Sequence, residues 1–291
     1  MRADTVYIVV HYMDIKATER CIRSIFECSG DDFHVVIVDN GSKTGHRTVL
    51  IQKFSSDPSI TYIDAGTDLG YASAVNRAYG FIRSEMEAET IIVMHNDMEL
   101  NTHGFGMKAR RILEEKDAPV LGPDIISKRT GYHENPYMKG PRSLAELKGM
   151  HERYAYVNRA FRRYYVKYDL GRRKTYKPNP FAISEGEDMM LRTGCLILSK
   201  QFIEKMDHVF TGCSHMYMEE DAFAIEMRDK GIRTLYDPSL RVTHEGGSSM
   251  RKRFLLPYPR EKKKWKEKEK ALEELIYALE PERKDEEIHS V

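Results

Sequence analysis

Strongly apolar, β-branched runs alternate with helical patterns over the first hundred residues, and this alternation restricts the fold more than any other feature. The runs have the composition of strands that are buried on both faces, and they lie at residues 5–10, 34–42, 60–66 and 90–97. Helical spacing of apolar residues separates them, at 16–29 and 72–83. Doubly buried strands joined through helices form a mostly parallel sheet, so we predict an α/β fold.

The pattern changes after a further predicted strand at 118–126. A segment at 153–180 is rich in Tyr, Arg and Lys and poor in Leu, Ile and Val, which is typical of an insertion on a core fold. Regularity then returns, with a strand entering a short helix at 192–200, a helix at 219–231, and strand, turn and strand at 233–249.

A chain of 291 residues can bury a sizeable core, so we predict one core domain with additions. Its four parts are a first half of the core (1–126), a helical basic and aromatic insertion (127–190), a second half of the core (191–250), and a basic amphipathic C-terminal helix with an acidic tail (251–291).

The charge balance and the cysteines exclude some classes of protein. Lys and Arg total 46 against 45 for Asp and Glu, so no net field favours nucleic acid, and we expect no nucleic-acid partner. The four cysteines include no C-x-x-C pair, and the N-terminal apolar run is too short for a signal peptide or a membrane span. We therefore expect a cytoplasmic protein, with peripheral contact at the inner face of the membrane left open.

Polar residues follow several of the predicted strands, and the carboxyl ends of parallel strands are where ligands of such sheets bind. Asp39 ends the second run before a glycine turn, where its carboxylate either accepts from a nucleobase N–H or forms an Asx-turn. Gly70 opens the next helix, with Asn76 about one turn on. This arrangement suits a phosphate-bearing ligand, and it equally suits a tight turn.

The fourth run ends in His95-Asn96-Asp97, and the carboxylate of Asp97 is an oxygen ligand of the kind that a hard divalent cation takes beside phosphate oxygens. The acids at 219–221 begin a helix, where they either cap its N-terminus or supply a general base to a hydroxyl. His244 follows another strand and is either structural or a ligand or phosphate contact.

In this order, these segments resemble the family 2 glycosyltransferases of the GT-A fold, especially the bacterial rhamnosyltransferase-like branch. The resemblance covers residues 5–126 and 190–250. It implies a Rossmann-like, mostly parallel central sheet flanked by helices. Residues 1–126 would be its nucleotide-sugar-binding half and residues 191–250 its acceptor or catalytic half, with the helical insertion and the C-terminal helix as additions to that core.

The resemblance also implies roles for individual residues. Donor contacts fall on Asp39 for the nucleobase, on Asp68, Gly70 and Asn76 along the ribose and diphosphate, and on His95 and Asn96. Asp97 would be the carboxylate for Mg²⁺ or Mn²⁺, with His244 completing the metal site or contacting the diphosphate. The Glu220-Asp221 pair would supply the general base, assigned to Asp221. His95 and Asp68 depart from the usual family residues.

We therefore predict an inverting, metal-dependent transferase. It would move a sugar from a UDP-, dTDP- or GDP-sugar to a hydroxyl of a glycan or a lipid-linked glycan. The competing hypotheses are a nucleotidyltransferase and a non-catalytic nucleotide-sugar-binding module. The first would need a glycine-rich and basic loop after the first strand, and "VVHYMDIKATER" has none.

Two basic segments have separate interpretations. The insertion either binds an anionic or lipid-linked acceptor, or is a solvated helix whose aromatic side chains pack on the core. The C-terminal helix would dock Trp265, Leu272, Leu275 and Ile276 on the core or on a second subunit, so a homodimer stays open.

Overall fold

The computed structural model describes residues 1–169, 179–211, 217–246 and 257–280. In these residues a nine-stranded sheet forms the centre of the molecule, and a two-stranded sheet lies beside it. The strands are β1 (Arg2–His11), β2 (Phe33–Asp39), β3 (Ile60–Asp64), β4 (Glu87–His95), β5 (Met98–Leu100), β6 (Val120–Ser127), β7 (Met138–Lys139), β8 (Gly186–Glu187), β9 (Met189–Met190), β10 (Cys195–Ser199) and β11 (Thr234–His244).

Helices lie between most of these strands. They are α1 (Ile15–Cys28), α2 (Thr44–Phe54), α3 (Tyr71–Glu85), α4 (Phe105–Glu115), α5 (Leu144–Arg159), α6 (Phe161–Tyr164) with a π-helical turn (Tyr165–Asp169), α7 (Lys200–Lys205), α8 (Glu219–Asp229) and α9 (Pro257–Leu279).

The strand order in the main sheet is β3-β2-β1-β4-β10-β6-β11-β5, with β8 beside β11. Pairs within β1 to β4, and the pair β6 and β11, are parallel. β10 is antiparallel to both β4 and β6, so its first residues lie at the carboxyl end of β4. The predicted α/β fold with a mostly parallel sheet is therefore confirmed.

Burial on both faces explains why the strands are uninterrupted apolar runs. Val6, Ile8 and Val10 of β1 belong to one apolar core, which also contains residues of α3. Tyr7 and Val9 belong to a second core on the other face, which contains residues of α1 and α4. Successive strand side chains point to opposite faces, so each run supplies both cores.

Three sequence expectations need correction. Helix α2 was not predicted, because only Leu50 of its residues is buried and it has no apolar stripe to detect. β4 ends at His95, so Asp97 lies in the turn before β5 and not within the strand. Residues 234–244 form one strand with a register shift between Asp237 and Arg241, in place of the predicted strand, turn and strand.

The insertion and the C-terminal helix pack against each other. Leu147 and Tyr154 of α5 share an apolar cluster with Leu272 and Leu275 of α9, and the Tyr154 and Trp265 rings are 5.2 Å apart. The predicted docking of α9 is thus made on the chain's own insertion. Residues 170–178, 212–216, 247–256 and the predicted acidic tail at 281–291 lie outside the described residues.

β6, from the first predicted half, lies between β10 and β11 of the second half. Both halves therefore contribute to one continuous sheet, and the division at residue 126 stays a prediction. Among the described residues, no helix combines the length and apolar composition needed to span a bilayer.

Candidate active site

Asp97 and His244 lie together at the carboxyl ends of the strands. His244 pairs with Met98 across β11 and β5, and the N–H of Glu245 donates to the Asp97 carbonyl at 3.0 Å. The His244 imidazole lies between two carboxylates, with Nε2 3.5 Å from Asp97 Oδ2 and Nδ1 2.6 Å from Glu134 Oε2. The register of two strands therefore brings together the two residues that sequence reasoning assigned to a metal.

The two acids around His244 dominate its ionisation. Burial lowers the pKa of His244, but the hydrogen bonds with Asp97 and Glu134 outweigh it and raise the pKa to about 9. Burial would raise the pKa of Asp97, but the hydrogen bond and positive charge of His244 bring it to about 2. At neutral pH an ionised carboxylate therefore faces the site at Asp97.

A chain of polar contacts continues from Glu134 to the acidic motif. Arg192 Nε lies 3.6 Å from Glu134 Oε2, and Arg192 Nη1 donates to the Tyr137 hydroxyl at 2.6 Å. The Tyr137 hydroxyl donates to Glu220 Oε1 at 3.4 Å, and the Thr193 hydroxyl donates to the same oxygen at 3.3 Å. We call Asp97, Glu134, Tyr137, Arg192, Glu220 and His244 the strand-end cluster.

Sequence reasoning missed Glu134, Tyr137 and Arg192. Arg192 is near Asp97 because β10 runs antiparallel and begins beside the end of β4, with Cys195 opposite Met94. The available signal was the polar Arg192-Thr193 pair immediately before an apolar run, which would mark the site only once that run was known to be antiparallel.

The residues at the end of β4 fit a divalent cation in their chemistry. Burial lowers the pKa of His95 to about 4, so its imidazole is neutral, and among the described residues its buried Nε2 has no hydrogen-bond partner. Asp97 adds an ionised oxygen ligand. In the described part of the chain no three ligand-type side chains are grouped to hold a metal, so substrate oxygens would have to complete the coordination.

Asn96 does not face this cluster. Its Nδ2 donates to the Thr18 hydroxyl at 3.0 Å and lies 3.4 Å from the Asp14 carbonyl, so the side chain ties the end of β4 to the start of α1. Because these contacts are made to the start of α1, the geometry favours a packing role for Asn96 over the predicted donor contact.

The predicted nucleobase residue is enclosed. Asp39 is fully buried, and its carboxylate accepts from the Ser42 N–H and from the Tyr62 hydroxyl, both at 3.0 Å. Arg47 Nε lies 3.6 Å from Asp39 Oδ2, and its Nη1 is 2.8 Å from Asp64 Oδ2. A base at this position would therefore meet a cluster of Asp39, Arg47, Tyr62 and Asp64, of which sequence reasoning found only the first.

The loops after β2 and β3 are joined through Asn40 and Asp68. Asn40 Nδ2 donates to Asp68 Oδ1 at 3.2 Å, and the Asn40 side-chain oxygen accepts from the Leu69 N–H at 2.9 Å. Gly70 begins α3 at φ 81°, and its N–H donates to Asp68 at 3.2 Å. These contacts of Asp68 therefore organise this loop, and the donor contacts expected of Asp68 and Gly70 stay predictions.

Asn76 lies further along α3 and bonds to another part of the chain. Its side-chain oxygen accepts from the N–H groups of Val209 and Phe210, both at 3.0 Å, and its Nδ2 donates to the Phe210 carbonyl at 2.7 Å. Because both polar atoms bond the main chain after α7, the geometry favours a structural part for Asn76 over the predicted diphosphate contact.

The three acids at the start of α8 have different surroundings. Asp221 is 3% exposed, and its Oδ1 accepts from Arg142 Nη1 at 2.6 Å. Burial raises the pKa of Asp221, Arg142 opposes this rise, and the charge of Glu220 adds to it. Burial and the charge of Glu220 raise the pKa of Glu219 to about 7. Glu220 alone of the three belongs to the strand-end cluster.

Two consecutive non-glycine residues precede these acids in the left-handed region, Tyr217 at φ 72° and Met218 at φ 64°. Such conformations cost on the order of 1–3 kcal/mol each and persist where the surroundings fix them. Here the Tyr217 N–H donates to Glu219 Oε1 at 3.0 Å, and Met218 packs among residues of α5 and α9. The direction in which the acidic motif points is therefore fixed by the helical additions.

The sheet order, the polar cluster at its carboxyl edge and the flanking helices are those of the GT-A fold. Among solved structures the chain is similar to GalNAc-T7, solved with UDP, GalNAc and Mn²⁺, at TM-score 0.52 and 13% identity, over 83% of this chain and 44% of that one. This likeness shows the shared fold.

The model of the family "Glycosyl transferase family 2" matches residues 6–184, which is more than half of the chain, so the chain belongs to this family. The acids at 219–221 and His244 lie outside that match. The low-salt glycan biosynthesis hexosyltransferase Agl10 of Haloferax volcanii is 23% identical over 141 residues, 48% of this chain and 43% of that protein. The chain thus covers less than half the length of both matched proteins.

Proposed function

We propose that the chain transfers a sugar, with inversion and with the help of a divalent cation, from a nucleoside-diphosphate sugar to a hydroxyl of a glycan or lipid-linked glycan. The observation that carries the proposal is the strand-end cluster. It connects Asp97, at the tip of β4, to Glu220, at the start of α8, through polar contacts between side chains. This arrangement supports a donor site and a proton acceptor at one edge of the sheet.

Asp97 and the neutral imidazole of His95 are the residues that would hold the cation, and His244, whose Nε2 lies 3.5 Å from Asp97 Oδ2, would contact the diphosphate. Imidazole nitrogen suits Mn²⁺ better than Mg²⁺, which prefers oxygen, so this donor set favours Mn²⁺. When bound, the cation would stabilise the negative charge that develops on the leaving diphosphate. Support for UDP as the first donor to test comes from GalNAc-T7, which was solved with UDP and Mn²⁺.

The base would come from the acidic motif. Sequence reasoning chose Asp221, but that carboxylate is 3% exposed and paired with Arg142, so an acceptor hydroxyl has little access to it. We propose Glu220 as the base, because its carboxylate lies beside the hydroxyls of Tyr137 and Thr193 in the cluster. It would take the acceptor's proton as the acceptor oxygen attacks the anomeric carbon opposite the leaving group. Asp221 remains the alternative.

The experiment is a transfer and hydrolysis assay with UDP-, dTDP- and GDP-sugars, with and without Mn²⁺, combined with thermal shifts of the same preparation. We expect one donor to raise the Tm only with the cation, since a ligand that binds the native state stabilises it by about 2.7 kcal/mol at a hundred times its Kd. Asp97→Asn should remove that shift. A chain that releases no nucleoside diphosphate from any donor, yet is stabilised by one, would be the non-catalytic binding module.

A further inference from the structure

The two basic segments that are separate in the sequence meet on one surface. Helices α5 and α9 run antiparallel. Lys148 Nζ is 2.8 Å from Glu280 Oε1, Asn158 Nδ2 donates to the Trp265 carbonyl at 3.0 Å, and the rings of Phe161 and Tyr258 are 5.3 Å apart. The later part of α5 and all of α6 therefore lie beside the first part of α9.

This end of the helix pair is strongly basic. Between Arg153 and Lys167 the chain has five basic residues and no acid, and between Pro257 and Lys270 it has seven basic residues against three glutamates. We call the exposed basic residues of the two segments the basic patch, and they are Arg153, Arg159, Arg162, Arg163, Lys167, Lys262, Lys266 and Lys270. The whole chain has a net charge of only +1, so this is a local concentration of charge.

Apolar side chains are exposed within the same surface. Tyr156 is 62% exposed and Val166 is 60% exposed, and both lie in the segment that carries the patch residues from Arg153 to Lys167. Beneath them Val157, Phe161 and Tyr165 are buried and pack with Tyr258 and Trp265 of α9. The surface therefore presents cations and two projecting apolar groups on a packed base.

We propose that the basic patch docks the protein on an anionic lipid leaflet. Cations are attracted to acidic headgroups, and the apolar groups of Tyr156 and Val166 can enter the boundary between headgroups and acyl chains. The phosphate backbone of a nucleic acid would supply negative charges for the basic residues, but it has no apolar surface for the exposed side chain of Val166 to contact.

The helix pair that carries the patch also packs against the acidic motif. Ala222 and Ile225 of α8 pack in one apolar cluster with Leu147 of α5 and Leu272 of α9. Arg142, just before α5, holds Asp221 at the start of α8. If the proposed transfer holds, docking would present the base side of the strand-end cluster to an acceptor anchored in the same leaflet. This last step rests on the proposed function, and the docking does not.

The test is co-sedimentation of the full chain with vesicles of phosphatidylcholine alone and of phosphatidylcholine mixed with phosphatidylglycerol, at low and high salt. We expect binding only to the anionic vesicles, weakened by salt. Each basic residue near such a surface contributes about fivefold to binding. The triple variant Arg159→Gln/Arg162→Gln/Arg163→Gln should therefore bind about a hundredfold more weakly.

The matched control is Lys108→Gln/Arg111→Gln/Lys116→Gln, which removes the same charge from exposed positions in and just after α4. It should bind as the unchanged protein does, and Tyr156→Ser/Val166→Ser should weaken vesicle binding at unchanged charge. The inference is overturned if vesicles are not bound, if both triple variants lose binding equally, or if the patch instead governs binding to an RNA or DNA duplex. Transfer to a soluble acceptor is measured alongside, so the loss of transfer and the loss of docking are separate results.

Discussion

Glu220 and Asp221 are adjacent in the sequence, yet their carboxylates have different partners. Asp221 accepts from Arg142 and is buried, which makes it part of the contact between α8 and the insertion. Glu220 faces Tyr137 and Thr193. Side chains of consecutive residues on a helix point in directions that differ by about 100°. The sequence motif alone therefore does not determine which of the two acids would face a substrate.

We expect Glu220→Gln to lower the turnover number by about 10² to 10⁴ while nucleotide affinity stays nearly unchanged, because a positioned base acts only on the chemical step. Asp221→Asn should instead leave turnover nearly unchanged, because the Asp221 carboxylate is buried and paired with Arg142. Steady-state kinetics, nucleotide titration and melting of both variants test this. Normal turnover in Glu220→Gln, with turnover lost in a stable Asp221→Asn, would make Asp221 the base.

Gly41 gives a second prediction at this scale. It has φ 77°, and a Cβ there would lie 2.3 Å from the Asp68 main-chain nitrogen. Gly41→Ala should cost at least about 1–3 kcal/mol in the free energy of unfolding and weaken donor binding, because the loops after β2 and β3 must separate. Gly45→Ala is the control, since nothing lies within 4 Å of its Cβ position and a helical alanine is favoured. Urea denaturation and nucleotide titration measure both, and equal behaviour of the two would contradict the argument.

Residues that follow parallel strands could be found from the sequence, because the strand pattern itself marks the carboxyl edge. Asp97 and His244 were found in this way and lie 3.5 Å apart. Glu134 and Arg192 could not be found. Their positions depend on an antiparallel strand and on a connection within the insertion, and neither has a local pattern in the sequence.

At the scale of elements, the doubly buried strands were predictable because burial on both faces leaves an uninterrupted apolar run. Helix α2 has only one buried residue, so its sequence has no apolar pattern from which the helix could be predicted. The pairing of α5 with α9 depends on Tyr154, Leu272 and Leu275 meeting across a long stretch of sequence. Apolar residues at helical spacing predicted that α9 docks, but not on which partner.

Leu272 tests this docking. It is fully buried between α5, α8 and α9, so Leu272→Ala should lower the free energy of unfolding by about 2–5 kcal/mol. Tyr277 is on the same helix and 45% exposed, and Tyr277→Ala should change stability by no more than about 0.5 kcal/mol. Urea denaturation of both variants is the measurement. Equal, small effects would mean that α9 contributes little to the packed structure.

For the whole molecule, burial of acids near the site makes stability depend on pH. The pKa of Glu219 is raised from 4.5 to about 7 in the folded chain, so between these values the native state binds more protons than the unfolded state. This contribution to the free energy of unfolding is present at low pH and is lost as the pH rises through about 7.

Glu219→Gln should therefore be more stable than the unchanged protein above about pH 7, with the difference shrinking as the pH falls towards 4.5. Urea denaturation across this range measures it. Glu273→Gln, on the exposed face of α9, is the control and should follow the unchanged protein. If the free energy of unfolding of the two variants changed with pH in the same way, Glu219 would not be the source of this pH dependence.

The position of β11 between β6 and β5 has a consequence for biosynthesis. A chain leaving the ribosome can pair β1 to β4 early, since these strands are neighbours in sequence and in the sheet. Asp97 gains its imidazole partner only after residue 244 has emerged and β11 has been added beside β5. A partly made chain would therefore have the first four strands without the contact between Asp97 and His244, and under the proposed function nascent or prematurely terminated copies would not consume activated sugar.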